Sequence, residues 1–264
     1  MFDALYIGAT GMQAQQMNVD TIANNLANVN TTGYKKARIS FSDLMVRDTA
    51  RLTPGGLDGD VGLLAPTTRL GAGVGIGSMT KLFDMGDLKK TDSAYDVAVQ
   101  GEGFLEVIMP DGSRAYTRGG TLKVNKDGQL ATMGGYALKP AIAVPDNIQT
   151  LIIQTDGRIQ ARLGNVTSPV DLGQVDLVRF ANSQGLLAQG DNLYRSSEAS
   201  GDAITAKSGE DGIGTLAQGY LEGSNVKMVE EMVNLMIAQR TYEANVKVVQ
   251  ASDEMLAMVN GLRK

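Results

Sequence analysis

The sequence predicts an α+β fold in which long N- and C-terminal helices pair as a coiled-coil-like domain, with an antiparallel β domain inserted between them. Two observations predict it. Both ends carry apolar residues at helical spacing over many turns, and the middle alternates short apolar runs with tight-turn dipeptides.

In the N-terminal stretch, Leu5, Ala9, Met12, Gln16, Val19, Ala23, Leu26 and Asn30 recur at alternating steps of four and three, with Ile22 and Val29 widening the apolar side. That spacing is a heptad seam. Asn24, Asn25, Asn28 and Asn30 crowd its last turns although asparagine is a mediocre helix former. Two readings fit them: buried amides that fix register in a packed helical array, or a cap-rich, frayed helix end. The helix is expected to stop near residues 30–33, where Gly33 can take the left-handed conformation.

Residues 46–66 hold Pro54, Gly55, Gly56, Gly59, Gly62 and Pro66, a composition that breaks both helix and strand and predicts a looped or extended excursion. The glycines at 71, 73, 75 and 77 lack the spacing of a phosphate-binding loop and fit a strand or ribbon where backbones pack closely.

From 96 to 182 the apolar runs Val97–Val99, Phe104–Met109, Leu122–Val124, Tyr136–Leu138, Leu151–Ile153 and Val175–Phe180 read as strands. Asp111-Gly112, Asp127-Gly128 and Asp156-Gly157 read as the turns between them, since glycine accepts positive φ and aspartate tolerates it. Asn125, Asp127 and Gly128 also match part of a calcium loop, but Tyr136 stands where its closing glutamate belongs, which favours a hairpin turn. Residues 183–224 are rich in Gly, Ser and Asp and lead into the last helix, with Ser224 or Asn225 available as its cap.

That helix repeats Leu235, Tyr242, Val249 and Leu256 every seven residues on an apolar stripe wider than one partner needs. At 1.5 Å per residue the two helices would be about 40 and 55 Å long, too long for a β core of ordinary size to cover. They are expected to cover each other and their copies in neighbouring subunits. Met228, Met232, Met236, Met255 and Met258 fit either adaptable packing between copies or ordinary core filling.

Composition narrows the function. The 264 residues include neither histidine nor cysteine, which removes the usual general base, the commonest metal ligand, the thiol nucleophile and any disulfide. No catalytic, metal or cofactor site is predicted. Aspartate and glutamate pairs at 84/87, 102/106 and 230/231 read as solvated charges rather than acid–base machinery. Aromatic residues are 5% and net charge is −5, so nucleic acid is not an expected partner. No stretch approaches the ~18 apolar residues of a membrane span. The first Lys or Arg is Lys35, which argues against a cleaved secretory signal.

Residues 22–35, Ile-Ala-Asn-Asn-Leu-Ala-Asn-Val-Asn-Thr-Thr-Gly-Tyr-Lys, resemble the N-terminal signature of bacterial flagellar rod and hook proteins. Asp96–Phe104, Tyr116-Thr117-Arg118, Gly219–Val226 and Glu230–Glu243 resemble further motifs of the same family, so the likeness covers nearly the whole chain. Within it, length and the position of the 46–66 segment resemble the distal rod class, with proximal rod and hook-type axial proteins as the alternative. The resemblance implies a structural, non-enzymatic subunit of a helical homopolymer, a straight hollow drive shaft that carries motor torque to the hook. Implied partners are proximal rod and hook-side axial proteins, the surrounding periplasmic and outer-membrane rings, and the flagellar export apparatus. The implied location is the basal-body rod crossing the periplasm, reached without signal cleavage, and segment 46–66 is implied to straighten the polymer. The expected domains are 1–30 with 225–264 (helical assembly), 31–95 with 183–224 (irregular/β connection) and 96–182 (antiparallel β). A reading of a different class is a secreted β-domain binding module whose helices only dimerise.

Overall fold

A computed structural model describes residues 2–44, 47–49, 68–164, 169–210 and 212–261. The expected straightening residues Pro54, Gly55, Gly56, Gly59, Gly62 and Pro66 lie outside the described residues. The chain divides into two compact units. One comprises residues 1–24, 37–80 and 229–264, and the other residues 25–36 and 81–228.

The first unit is built on two helices and short ribbons. Helix α1 spans Phe2–Ala27 and helix α2 spans Met228–Gly261. Asp3 near the start of α1 and Glu230 and Glu231 in the first turn of α2 complement the positive helix N-termini. Strand Ala37–Asp43 pairs with Val74–Lys81, so Gly75 and Gly77 lie in a ribbon, while Gly71 and Gly73 precede it. A second ribbon pairs Arg47–Thr49 with Thr68–Leu70.

The second unit is antiparallel β. Its main sheet runs in the order 187–190, 193–195, 114–117, 104–108, 137–138, 130–132, 119–124, 96–100 and 215–218, with strand 177–179 added beside 104–108 and strand 204–206 beyond it. A three-stranded sheet joins Ile148–Ile153, Arg158–Leu163 and Val170–Gln174. The three Asp-Gly dipeptides sit between paired strands, with φ of +79° at Gly112, +73° at Gly128 and +87° at Gly157. Asn125 closes the hairpin it belongs to, its Oδ1 accepting the N–H groups of Asp127 and Gln129 at 2.9 and 2.8 Å.

Strand alternation sorts the side chains between two cores. Leu105, Val107, Ala115, Leu177 and Leu193 point into the main core with Leu130, Leu138, Leu151 and Ile159. Their neighbours Phe104, Tyr116, Val178 and Tyr194 face the other way and join Phe180 in an aromatic cluster, packed edge to face at 4.8–6.2 Å and flanked by Phe83.

The sheet extends beyond the expected boundary at 182. Residues 187–218 add four strands of only three or four residues each, in a stretch whose Gly, Ser and Asp content hides so short a pattern. The helix boundaries also differ from expectation. Helix α1 ends at Ala27, because Asn28, Val29 and Thr31 donate three-residue turn bonds to Asn25, Leu26 and Asn28. Helix α2 starts at Met228, beyond the reach of Ser224 and Asn225. Neither caps it: the Ser224 hydroxyl accepts the Val226 N–H at 3.3 Å, and Asn225 is engaged elsewhere.

Candidate functional site

Two features stand out, the uncovered helix faces and a buried ion cluster. On α1, Leu5, Met12, Val19 and Leu26 are half-buried and Ile22 is buried, and Val29, in the turn beyond the helix, is half-buried. The positions that share their face are Gly8, Gln15, Ile22 and Val29, whereas Ala9, Gln16, Ala23 and Asn30 are exposed. A side chain at Gly8 would come within 2.7 Å of Val249 Cγ2, and one at Gly11 within 2.9 Å of Asn245 Nδ2. The α1 backbone therefore lies against α2 there, with the helices running in opposite directions.

On α2, Leu235, Val249 and Leu256 are half-buried and Tyr242 is 39% exposed. The most enclosed positions are Glu231, Ala238 and Ser252, which with half-buried Asn245 form a second seven-residue repeat of small and polar groups. Outside that row many apolar side chains of α2 are open to water, interspersed with Arg240, Glu243, Lys247 and Glu254: Val229 is 76% exposed, Ile237 58% and Met258 62%. Met228, Met232, Met236, Met255 and Met258 are all at least 45% exposed, so they fill no core within this chain.

The asparagines at the end of α1 divide. Asn25 is buried and its Oδ1 accepts the Tyr34 hydroxyl at 3.1 Å, Asn28 Oδ1 accepts from Thr31 at 3.1 Å, and Asn24 and Asn30 are exposed. One amide is thus a buried tie within the chain and another stabilises the turn that ends the helix.

The ion cluster centres on Glu222. Lys35 Nζ donates to Glu222 Oε1 at 2.7 Å and to the Asp84 carbonyl at 2.6 Å. Arg118 Nε donates to Glu222 Oε2 at 3.2 Å, and Arg118 Nη1 to the Gly103 carbonyl at 2.9 Å. The Gly86 N–H adds a bond to Oε1 at 3.0 Å; only glycine fits there, since a Cβ would meet the Gly223 carbonyl. Glu222 also accepts the Gly33 N–H on its backbone oxygen at 2.7 Å, with Gly33 at φ +69°. Gly33 therefore turns the chain onto strand Tyr220–Glu222 rather than closing α1.

Lys35, Arg118 and Glu222 are all at most 4% exposed. Burial pushes the Lys35 ammonium below its ordinary range, opposed by the charge and hydrogen bond of Glu222 and reinforced by Arg118. Close by, Lys81 stands 4.4 Å over the Tyr34 ring and donates to the Lys35 carbonyl. These groups hold each other and leave no carboxylate free for proton transfer. Of the carboxylate pairs expected to be solvated, Glu106 and Glu231 are instead buried, and Glu106 is bound by Lys139 at 3.1 Å and Arg114 at 3.4 Å. Among the described residues there is no cluster of metal-ligating side chains, and no helix is long and apolar enough to cross a membrane.

Three of the sequence motifs meet in this cluster: Asn25, Tyr34 and Lys35 from 22–35, Arg118 from 116–118, and Glu222 and Asn225 from 219–226. Comparison with known proteins matches the same three regions. Residues 5–35 match the family described as flagella basal body rod protein, residues 98–161 the flagellar hook protein FlgE/F/G D1 domain, and residues 217–262 the flagellar basal body rod FlgEFG protein C-terminal family. The chain is 41% identical over 263 residues to the flagellar basal-body rod protein FlgG of Buchnera aphidicola, covering 99% of this chain and 100% of that one. It is 41% identical over 267 residues to FlgG of Borreliella burgdorferi, with 100% of both covered.

The chain belongs to the flagellar basal-body rod protein family. FlgG of Bacillus subtilis, at 34% identity over the full length of both, extends the likeness to a more distant relative. Like these relatives it is a structural rod subunit of the basal body and not an enzyme. Family membership implies self-assembly alongside other axial proteins. Sequence reasoning quoted the cluster residues only as parts of motifs. The signal that could have singled them out is three charged residues, each inside a separate motif.

Proposed function

We propose that this chain is a distal rod subunit that polymerises through its terminal helices into a straight, hollow shaft and transmits motor torque to the hook. The observation that carries this reading is the set of open apolar side chains along α2, Met228, Val229, Met232, Met236, Ile237, Met255 and Met258 among them, which a single chain leaves in water. At about 25 cal/mol per Å² of apolar surface, covering them with neighbouring copies is strongly favourable, and no smaller rearrangement within one helix can achieve it. Coiled-coil-like pairing of α1 with α2, and with their copies, would use Leu5, Met12, Val19, Ile22, Leu26 and Val29 against Leu235, Tyr242, Val249 and Leu256. The close approach at Gly8 and Gly11 supports that pairing. Asn24, exposed here, would lie at contacts between copies, and segment 46–66 would supply the straightening contacts.

The finer partners follow from this reading: proximal rod and hook-side proteins at the two ends of the polymer, the periplasmic and outer-membrane rings around it, and the export apparatus that delivers the chain without signal cleavage. A proximal rod or hook-type role is the second reading, favoured by the 30% likeness to the flagellar hook-basal body complex protein FlhP of Bacillus subtilis.

The test is Leu235→Asp. Purified variant and wild-type chains are compared by electron microscopy for polymer and by trace proteolysis for the β-rich unit. The expected outcome is loss of polymer with the 81–228 core still protected. Polymers of normal length from the variant would overturn the helix-seam reading, and a discrete wild-type dimer with no larger species would favour the binding-module class.

A further inference from the structure

The β-rich unit is joined to the rest of the chain at four places: between residues 24 and 25, 36 and 37, 80 and 81, and 228 and 229. Within that unit, hydrogen bonds lead from the segment at each place toward one carboxylate. Behind the first, Asn25 accepts from Tyr34, which adjoins Lys35. At the second, Lys35 reaches Glu222 and the Lys36 N–H donates to Asn225 Oδ1 at 2.8 Å. At the third, the Leu82 N–H donates to the Lys36 carbonyl at 3.0 Å, the Leu82 carbonyl accepts from Asn225 Nδ2 at 2.9 Å, and Gly86 reaches Glu222. The fourth leads out through Glu222–Val226 itself, and Arg118 anchors the group to the β core.

We propose that Glu222 is a positioning residue that makes these segments one cooperative joint, so that residues 25–36, 81–87 and 220–226 order together on the β core. The physical reason is the expense of an unpaired buried charge. Glu222 is 2% exposed and its carboxylate accepts from Lys35, Gly86 and Arg118; if any one segment lifts away, charged groups in the others lose partners that water cannot immediately replace. A set of independent apolar contacts would let each segment fray alone. This joint forbids it, and it does so in the single chain, whatever polymer that chain enters.

Hydrogen–deuterium exchange of the full-length chain, followed by mass spectrometry, tests the proposal. Glu222→Gln keeps size and shape and removes the charge. Exchange in 25–36, 81–87 and 220–226 should rise together, by about tenfold or more, while strands 104–108 and 158–163 stay protected. Glu106→Gln, which alters another buried carboxylate paired with Lys139 and Arg114, should leave the three segments as in wild type. Should Glu222→Gln not accumulate as a folded chain, Lys35→Met removes one arm and should give the same three-segment pattern at smaller amplitude. A rise confined to 220–226, or one spread evenly through the β core, would overturn the proposal, as would an equal effect of Glu106→Gln.

Discussion

The two units use the same apolar residue types to opposite ends. In the β-rich unit Leu105, Leu130 and Leu151 are at most 2% exposed, and burying each stabilises the fold by roughly 1.5–3 kcal/mol. On α2, Val229, Ile237 and Met258 stand in water and contribute nothing comparable within one chain. The contrast teaches that hydrophobicity alone does not distinguish a core from an interface. What differs is how the apolar faces meet: the two sheets of the β-rich unit turn theirs into one shared core, whereas a helix of 34 residues has one side left over once a single partner helix covers the other.

The largest loss is expected at the ion cluster. Glu222→Ala should destabilise the β-rich unit by about 3–5 kcal/mol in urea unfolding, because it strands Lys35 and Arg118 as buried charges without their shared partner. Adding Lys35→Met and Arg118→Leu to it should recover part of the loss, since removing the charges as well removes their burial penalty. No recovery in the triple variant would mean that packing rather than charge is decisive there.

A matched pair of truncations sharpens the contrast between the units. Leu105→Ala should lower stability by about 2–5 kcal/mol, and Met236→Ser among the open side chains of α2 should change that of the isolated chain by no more than about 0.5 kcal/mol. Equal losses would show that α2 is already covered within one chain.

A smaller effect is expected from pH. Below the depressed pKa of Lys35 the folded chain bears the full penalty of a buried ammonium. Between that pKa and the ordinary 10.5, the unfolded chain holds a proton that the folded chain has released, so this group's contribution to stability rises with pH. Burial also raises the Tyr116 hydroxyl, which acts in the other direction, but that contribution is common to both chains compared and cancels. Denaturation midpoints of wild type and Lys35→Met should therefore shift in favour of wild type as pH climbs toward 10.5. A constant difference would place the ammonium in water rather than in the cluster.

A small effect is also expected of Gly8→Ala. Alanine gains about 1 kcal/mol of helix propensity, but its Cβ would sit 2.7 Å from Val249, so α1 and α2 must separate slightly. A net loss below about 1 kcal/mol is expected by thermal unfolding, and a clear gain in stability would mean that the helices do not press together at this position.

Much of this architecture was legible in the residues. Alternation and Asp-Gly turns located the strands at 97–99, 104–109, 122–124 and 151–153 because a two-residue period and a positive-φ glycine are local properties. Heptad spacing located both helices for the same reason. The strands at 187–218 escaped because three or four residues are too few to show a period. The side of α1 that is buried also escaped, since Gly8 carries no apolar signal and its value lies in how near another helix can come.

By itself, then, the sequence determined the element types, the absence of histidine and cysteine chemistry, and motifs specific enough to identify the family. Only the tertiary structure decided that Asn225 bridges Lys36 and Leu82 instead of capping α2, that five methionines of α2 stand outside any core of the chain, and that Lys35, Arg118 and Glu222 meet. Those three are separated by up to 187 residues along the chain. No local pattern records such a meeting, because a buried charge is tolerated only where folding has already brought its partners to it.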